Sequence, residues 1–226
     1  MRKVSIFILT FLLIQNIFSQ DNIVSENRIA INIVPTSILD TYPRIRFGLD
    51  YKMNQKMSFG FDYGFGNSSI IGVSSTKDSI STKEKYSVFE IRPEIKLYLN
   101  HSKKHSWYLA TEFFYIEKHR IYNKSYYKPE NLSHNIYYET AKFNVIKRGM
   151  HLKAGLELIL GEIVKFDFYG GVGFAYRSKY YTDVVFSETE YDHKYLWYED
   201  GYKKEKTSFI PHLSLGVRIG FIVFEK

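Results

Sequence analysis

Residues 87–100 read SVFEIRPEIKLYLN. From Phe89 to Lys96 an apolar residue or proline alternates with a full charge. A period of two belongs to a β-strand, whose successive side chains point to opposite faces. Phe89, Ile91, Ile95 and Leu97 therefore share one face, and Glu90, Arg92, Glu94 and Lys96 the other. Such a strand needs an apolar medium on one side and partners for four charges on the other. Pro93 stands mid-run without an N–H to give to a ladder, so a local bulge is expected there.

The alternation recurs along the chain. Eight strands are read at about 28–36, 43–53, 56–66, 85–99, 106–118, 143–160, 163–177 and 207–224. In the third, Met57, Phe59, Phe61, Tyr63 and Phe65 oppose Ser58, Gly60, Asp62, Gly64 and Gly66. In the last, Leu213, Leu215, Val217, Ile219, Phe221 and Val223 oppose His212, Ser214, Gly216, Arg218 and Gly220. The connections at 54–55, 100–105 and 161–162 are short, whereas 67–84, 119–142 and 178–206 are long, and 37–42 is intermediate. Short turns at one end and long loops at the other build an up-and-down barrel with both termini on the short-turn side.

Composition agrees with an all-β chain. With 18 Phe and 20 Tyr, the vocabulary is that of strands, and 226 residues suffice for one domain or at most two. The absence of cysteine excludes disulfides, thiolate metal sites and a cysteine nucleophile together. The N-terminus, MRKVSIFILTFLLIQNIFSQ, has a basic start, an apolar run from Val4 to Ile14 and small Ser19 before Gln20. It reads as a signal peptide over 1–19, leaving 20–226 as one barrel domain. Without Arg2 and Lys3 the remaining chain carries 29 bases against 24 acids. That mild, dispersed excess gives no case for nucleic-acid binding.

Alternation alone does not say which face points outward. A soluble lipocalin-like carrier would put the apolar face inside and the charges in water. Three features favour the opposite facing: a glycine-rich polar face, near-equal numbers of acids and bases on it, and aromatic residues near strand ends, as at a lipid interface.

The stretches FGLDYKMNQKMSFGFDYGFG (47–66), FEIRPEIKLYL (89–99) and HLSLGVRIGFIVF (212–224) resemble the small outer-membrane β-barrel family. The resemblance is to the exported barrels of Bacteroidetes, with the architecture of the OmpA transmembrane domain and OmpX. It implies an eight-stranded antiparallel transmembrane barrel in the cell outer membrane, monomeric and in contact with membrane lipid. Members usually end on an aromatic residue, but here Phe224 is followed by Glu225 and Lys226.

Three groups of residues are candidates for function. Arg46, Asp50, Asp62, Glu90, Arg92, Glu94, Lys96, Glu112, Lys153, Glu157, Asp167 and Arg218 are expected to form an ion-paired network inside the lumen. Eight strands leave an interior just wide enough for side chains to fill. Tyr191, Asp192, His193, Tyr195, Trp197, Tyr198, Glu199 and Asp200 could form an aromatic, carboxylate-bearing patch on the last loop, though cross-strand aromatic packing is the favoured reading of them. The loops 67–84, 119–142 and 178–206 would then meet an extracellular protein or glycan. His212 and Ser214 share a face, and outer-membrane lipid A deacylases are similar barrels with a His-x-Ser pair. The inferred facing nevertheless turns this pair into the lumen, away from lipid. No cofactor and no metal site is expected. The reading is thus a non-enzymatic barrel with a structural or adhesive role. Its rivals are a lipid A-modifying hydrolase, a narrow channel, an accessory barrel of a secretion apparatus and a soluble carrier.

Overall fold

The computed structural model describes residues 27–40, 42–68, 85–100, 104–132, 134–161, 163–191 and 204–225. The signal-peptide reading over 1–19 lies outside them. Eight strands follow in chain order: β1 (Arg28–Ile33), β2 (Ile45–Lys52), β3 (Met57–Asn67), β4 (Tyr86–Tyr98), β5 (His105–Tyr127), β6 (Ile136–Leu160), β7 (Val164–Phe186) and β8 (Lys206–Glu225). Each pairs antiparallel with the next, and β8 returns to β1, so the sheet closes on itself. The expected eight-stranded up-and-down barrel is what forms.

The facing is resolved by burial. Glu90, Glu94, Lys96, Glu112, Lys153, Glu157, Asp167 and Arg218 are all buried inside, whereas Leu213, Leu215, Val172, Leu152 and Trp107 point outward and are exposed. This inverts a soluble carrier, whose interior would be apolar. The outward face carries an apolar belt, from Leu99, Trp107, Leu160 and Phe221 at the short-turn end to Tyr63, Phe89 and Tyr176 towards the other. Arg148, outward on β6 with its guanidinium 5.1 Å from the ring of Tyr176, lies at the upper limit of that belt.

Two expectations are corrected. β4 runs through Pro93 with no bulge: Phe61 stays opposite Pro93 on one side, and Ile91–Tyr115 and Glu94–Glu112 keep one register on the other. The missing N–H leaves positions 92 and 93 without ladder partners on β5 but adds no residue to the strand, so nothing is displaced. The register shifts that do occur lie at Ile29/Ala30 against β8 and around Thr140 against β7.

The second correction concerns length. The segments 119–142 and 178–206, expected as loops, are strand for much of their course, since β5 reaches Tyr127, β6 begins at Ile136 and β7 reaches Phe186. These strands rise beyond the belt and are held by an aromatic core of Tyr127, Tyr138, Phe143 and Tyr181 with Ala141 and Val145. Tyr127 and Tyr181 stack with centroids 4.4 Å apart. At the other extreme β1 stops at Ile33, and Pro35–Leu39 forms a 3-10 turn in place of the strand's expected end. Ser37 ties that turn down, its hydroxyl lying 2.7 Å from the Val34 carbonyl and 2.8 Å from that of Arg44.

Candidate functional site: the lumen and its outer mouth

At the centre of the barrel the Lys96 Nζ lies 2.8 Å from Glu157, 2.8 Å from Asp167 and 3.3 Å from Asp50. Lys165 also bonds Asp50. Asp50, Glu157 and Asp167 converge as metal ligands would, but the Lys96 ammonium sits among them as the cation. One layer further out, Arg218 reaches Asp62 at 3.1 Å, Glu94 at 2.7 Å and Asp167 at 3.1 Å. Lys153 bonds Glu94 and, at 2.8 Å, Glu112. Arg92 joins Glu90 to Glu112, with 2.7 Å to the latter, while Arg46 and Arg44 also pair with Glu90. The twelve lumen residues named from the sequence thus meet in one continuous network.

That network has members the sequence reading left out. Lys165 and Arg28 both pair with plug carboxylates, the latter at 3.5 Å from Glu157. Lys165 shares the parity of Asp167, so carrying the alternation back one more step would have found it. Tyr98, Tyr108 and Tyr169 were assigned no role. The Tyr108 hydroxyl donates to Asp167 at 2.6 Å, and the Lys153 ammonium lies 4.1 Å from the Tyr169 ring centroid. Glycines make the room: a Cβ on Gly155 would lie 2.2 Å from the Tyr108 ring, and one on Gly216 2.4 Å from the Tyr169 hydroxyl.

His212 and Ser214 fall on the inward face of β8, and no hydrogen bond joins them among the described residues. His212 Nδ1 lies 2.8 Å from His151 Nε2, and His151 Nδ1 lies 2.9 Å from Glu112. The acid is therefore engaged with His151, a residue the sequence reading passed over, and His212 is tied to that imidazole. Phe114 stacks on both imidazoles, at 4.5 and 5.0 Å. This stack, with Val88, Ile116 and Ala175, forms the roof of the plug and the floor of an open chamber.

The chamber is a cavity of about 200 Å³ between the 3-10 turn and β4–β8, lined by Asp40, Arg44, Lys118, Lys147, His212 and Ser214 among others. Asp40 lies 2.9 Å from Arg44 and 3.5 Å from Lys118. Burial would raise its pKa, but the two cations outweigh it and hold the carboxyl well below the usual carboxylate range. Above the belt, Lys179 stands opposite Lys206 and two residues from Arg177. Burial and the repulsion of those two cations push Lys179 down to about 8.

Of the proposed loop patch only Tyr191 falls among the described residues. Its hydroxyl donates to Glu139, which also accepts from Ser187 at 2.9 Å. These bonds lower the Glu139 pKa. Asp192, His193, Tyr195, Trp197, Tyr198, Glu199 and Asp200 lie outside the described residues.

No family model and no curated protein matches the chain. Among solved structures, CarO of Acinetobacter baumannii is similar at 12% identity and a TM-score of 0.35, with 91% of this chain and all of that one covered. CarO2 of the same organism is similar at 10% identity and 0.39, over 89% of this chain and all of the other.

The surface itself decides the surroundings. Only helices and closed barrels satisfy every backbone group in lipid, and here the closed barrel has its apolar face outward and its charges within. The chain is a membrane-spanning β-barrel of the outer-membrane type.

Proposed function

We propose that the protein is a non-enzymatic, non-conducting barrel of the outer membrane that acts through its outward extension. The observation that carries this reading is the contrast between a lumen filled by paired charges and strands that continue past the belt. Lys96, Arg218 and their carboxylates occupy the axis where a water column would run. Rigid strands bearing aromatic and charged side chains above the belt suit contact with an extracellular protein or glycan, since rigid elements present a surface at low entropic cost. Ser214 has no hydrogen bond to His151 or His212 among the described residues, which speaks against hydrolysis.

Planar-bilayer recording of the refolded protein is expected to show no discrete conductance steps; reproducible steps would overturn the closed-lumen reading. Replacing 121–140 with a two-residue turn should leave folding intact, seen as heat-modifiable gel migration. It should also abolish binding to arrays of host-surface glycans and matrix proteins. Binding that survives the deletion would remove the extension from the account.

A further inference from the structure

The register places three inward side chains side by side above the plug. Lys147 on β6 stands opposite Arg177 on β7, and Arg177 stands opposite Ser208 on β8. Their inward facing follows from parity with buried His151, buried Ala175 and pocket-lining His212. Like charges directly opposite one another repel. Neither Lys147 nor Arg177 forms an ion pair among the described residues, and Arg177 Nε and Ser208 Oγ are buried there without a hydrogen-bond partner. Buried polar groups are nearly always satisfied, and an exception in a folded protein points to a water or an ion.

Lys147 belongs both to this row and to the wall of the 200 Å³ chamber, which Lys118 and Arg44 also line. Asp40 is the chamber's sole carboxylate among the described residues, and Arg44 and Lys118 already share it. The plug below is richly supplied with carboxylates, so positive charge accumulates at this level.

We propose that the outer lumen is an oxyanion site in which Lys147, Arg177 and Ser208, with Lys118 nearby, bind a small phosphate-type anion entering from the outer mouth. A doubly charged oxyanion matches two unbalanced cations, and its several acceptors suit a guanidinium, an ammonium and a hydroxyl at once. The chamber adjoins the row through Lys147, the one of the three on its wall, and leaves space beside the row for the anion's remaining water. The continuous β6–β8 ladder separates the row from lipid, so a phosphate must arrive from the aqueous side. This inference does not depend on what the extension contacts.

The test is calorimetric titration of the full chain, refolded in a non-ionic detergent, with inorganic phosphate. Wild type should bind saturably at one site. Lys147→Gln and Arg177→Gln should each weaken binding by about tenfold, the effect of losing one charge-assisted hydrogen bond. Arg148→Gln, one residue along but outward, should leave it unchanged. Ser208→Ala, an uncharged change, should weaken it severalfold and serves if either charge variant fails to show heat-modifiable migration. Absence of saturable binding by wild type overturns the proposal. So does equal loss in Arg148→Gln, and so does binding of a short-chain phosphatidic acid without binding of inorganic phosphate.

Discussion

The lower and upper halves of the lumen are built from the same residue types and solve opposite problems. Below the Phe114–His151–His212 stack, each lysine and arginine of the plug touches a carboxylate, and most touch two or three. Above it, Lys147 and Arg177 face each other with no ion pair among the described residues. Burial is affordable for a charge when partners surround it and costly when they do not. Position along the barrel axis, more than residue type, therefore decides whether a lumen lysine stabilises the fold.

The sharpest way to break that contrast is to make the same substitution in both halves. Lys96→Met strands Asp50, Glu157 and Asp167 without their shared cation and should destabilise by about 3–5 kcal/mol. Lys147→Met removes a cation that has no carboxylate partner among the described residues and should change stability by less than about 1 kcal/mol, in either direction. Urea unfolding in vesicles measures both, and similar losses would show the halves to be energetically alike.

A smaller difference is expected from packing. Gly155→Ala forces a methyl into the Tyr108 ring and should cost roughly 1–3 kcal/mol. Gly170→Ala, whose nearest neighbour would be Leu215 at 3.5 Å on the outward face, should stay within about 0.5 kcal/mol. If both are neutral in the same unfolding assay, the lower lumen is less tightly filled than the distances indicate.

Asp40→Asn should lose about 1 kcal/mol by releasing Arg44 and Lys118, and should strengthen phosphate binding severalfold by making the chamber wall wholly cationic. Unchanged affinity in the calorimetric titration would mean that Asp40 does not tune the chamber. The smallest effect is at Lys179. Its folded pKa lies below the unfolded lysine value of about 10.4, so the unfolded chain holds this proton more tightly. The charge therefore costs stability in full below about pH 8, and the cost fades as pH rises towards the unfolded value. Lys179→Gln should raise the melting temperature slightly at pH 7, by an amount that shrinks between pH 8 and 10. A gain that instead grows with pH would reverse the assignment.

Much of this was legible in the order of residues. Period-two alternation placed eight strands and their faces, because a residue on a half-apolar strand cannot change sides without moving every neighbour. The twelve plug residues followed from that parity. Which charges pair did not, because Lys96 meets Asp167 and Arg218 meets Glu94 only after the ring has closed. The extension was hidden for a different reason. In IYNKSYYKP and the Ala141–Val145 run, aromatic and polar residues occupy both faces, so alternation fades although the ladder continues. Pro93 misled because a missing donor was equated with an inserted residue, whereas here the strand keeps its count and leaves the bonds unmade. The oxyanion row had no motif at all: Lys147, Arg177 and Ser208 are adjacent only through register.

Lys96 has a consequence for how the barrel lives in changing media. The cation among Asp50, Glu157 and Asp167 is leashed to the backbone by four methylenes, so a chelator cannot strip it and dilution cannot wash it out. A barrel that neutralised the same carboxylates with a mobile divalent ion would loosen whenever that ion became scarce. This one should hold its shape in low-salt water and in the presence of chelators alike.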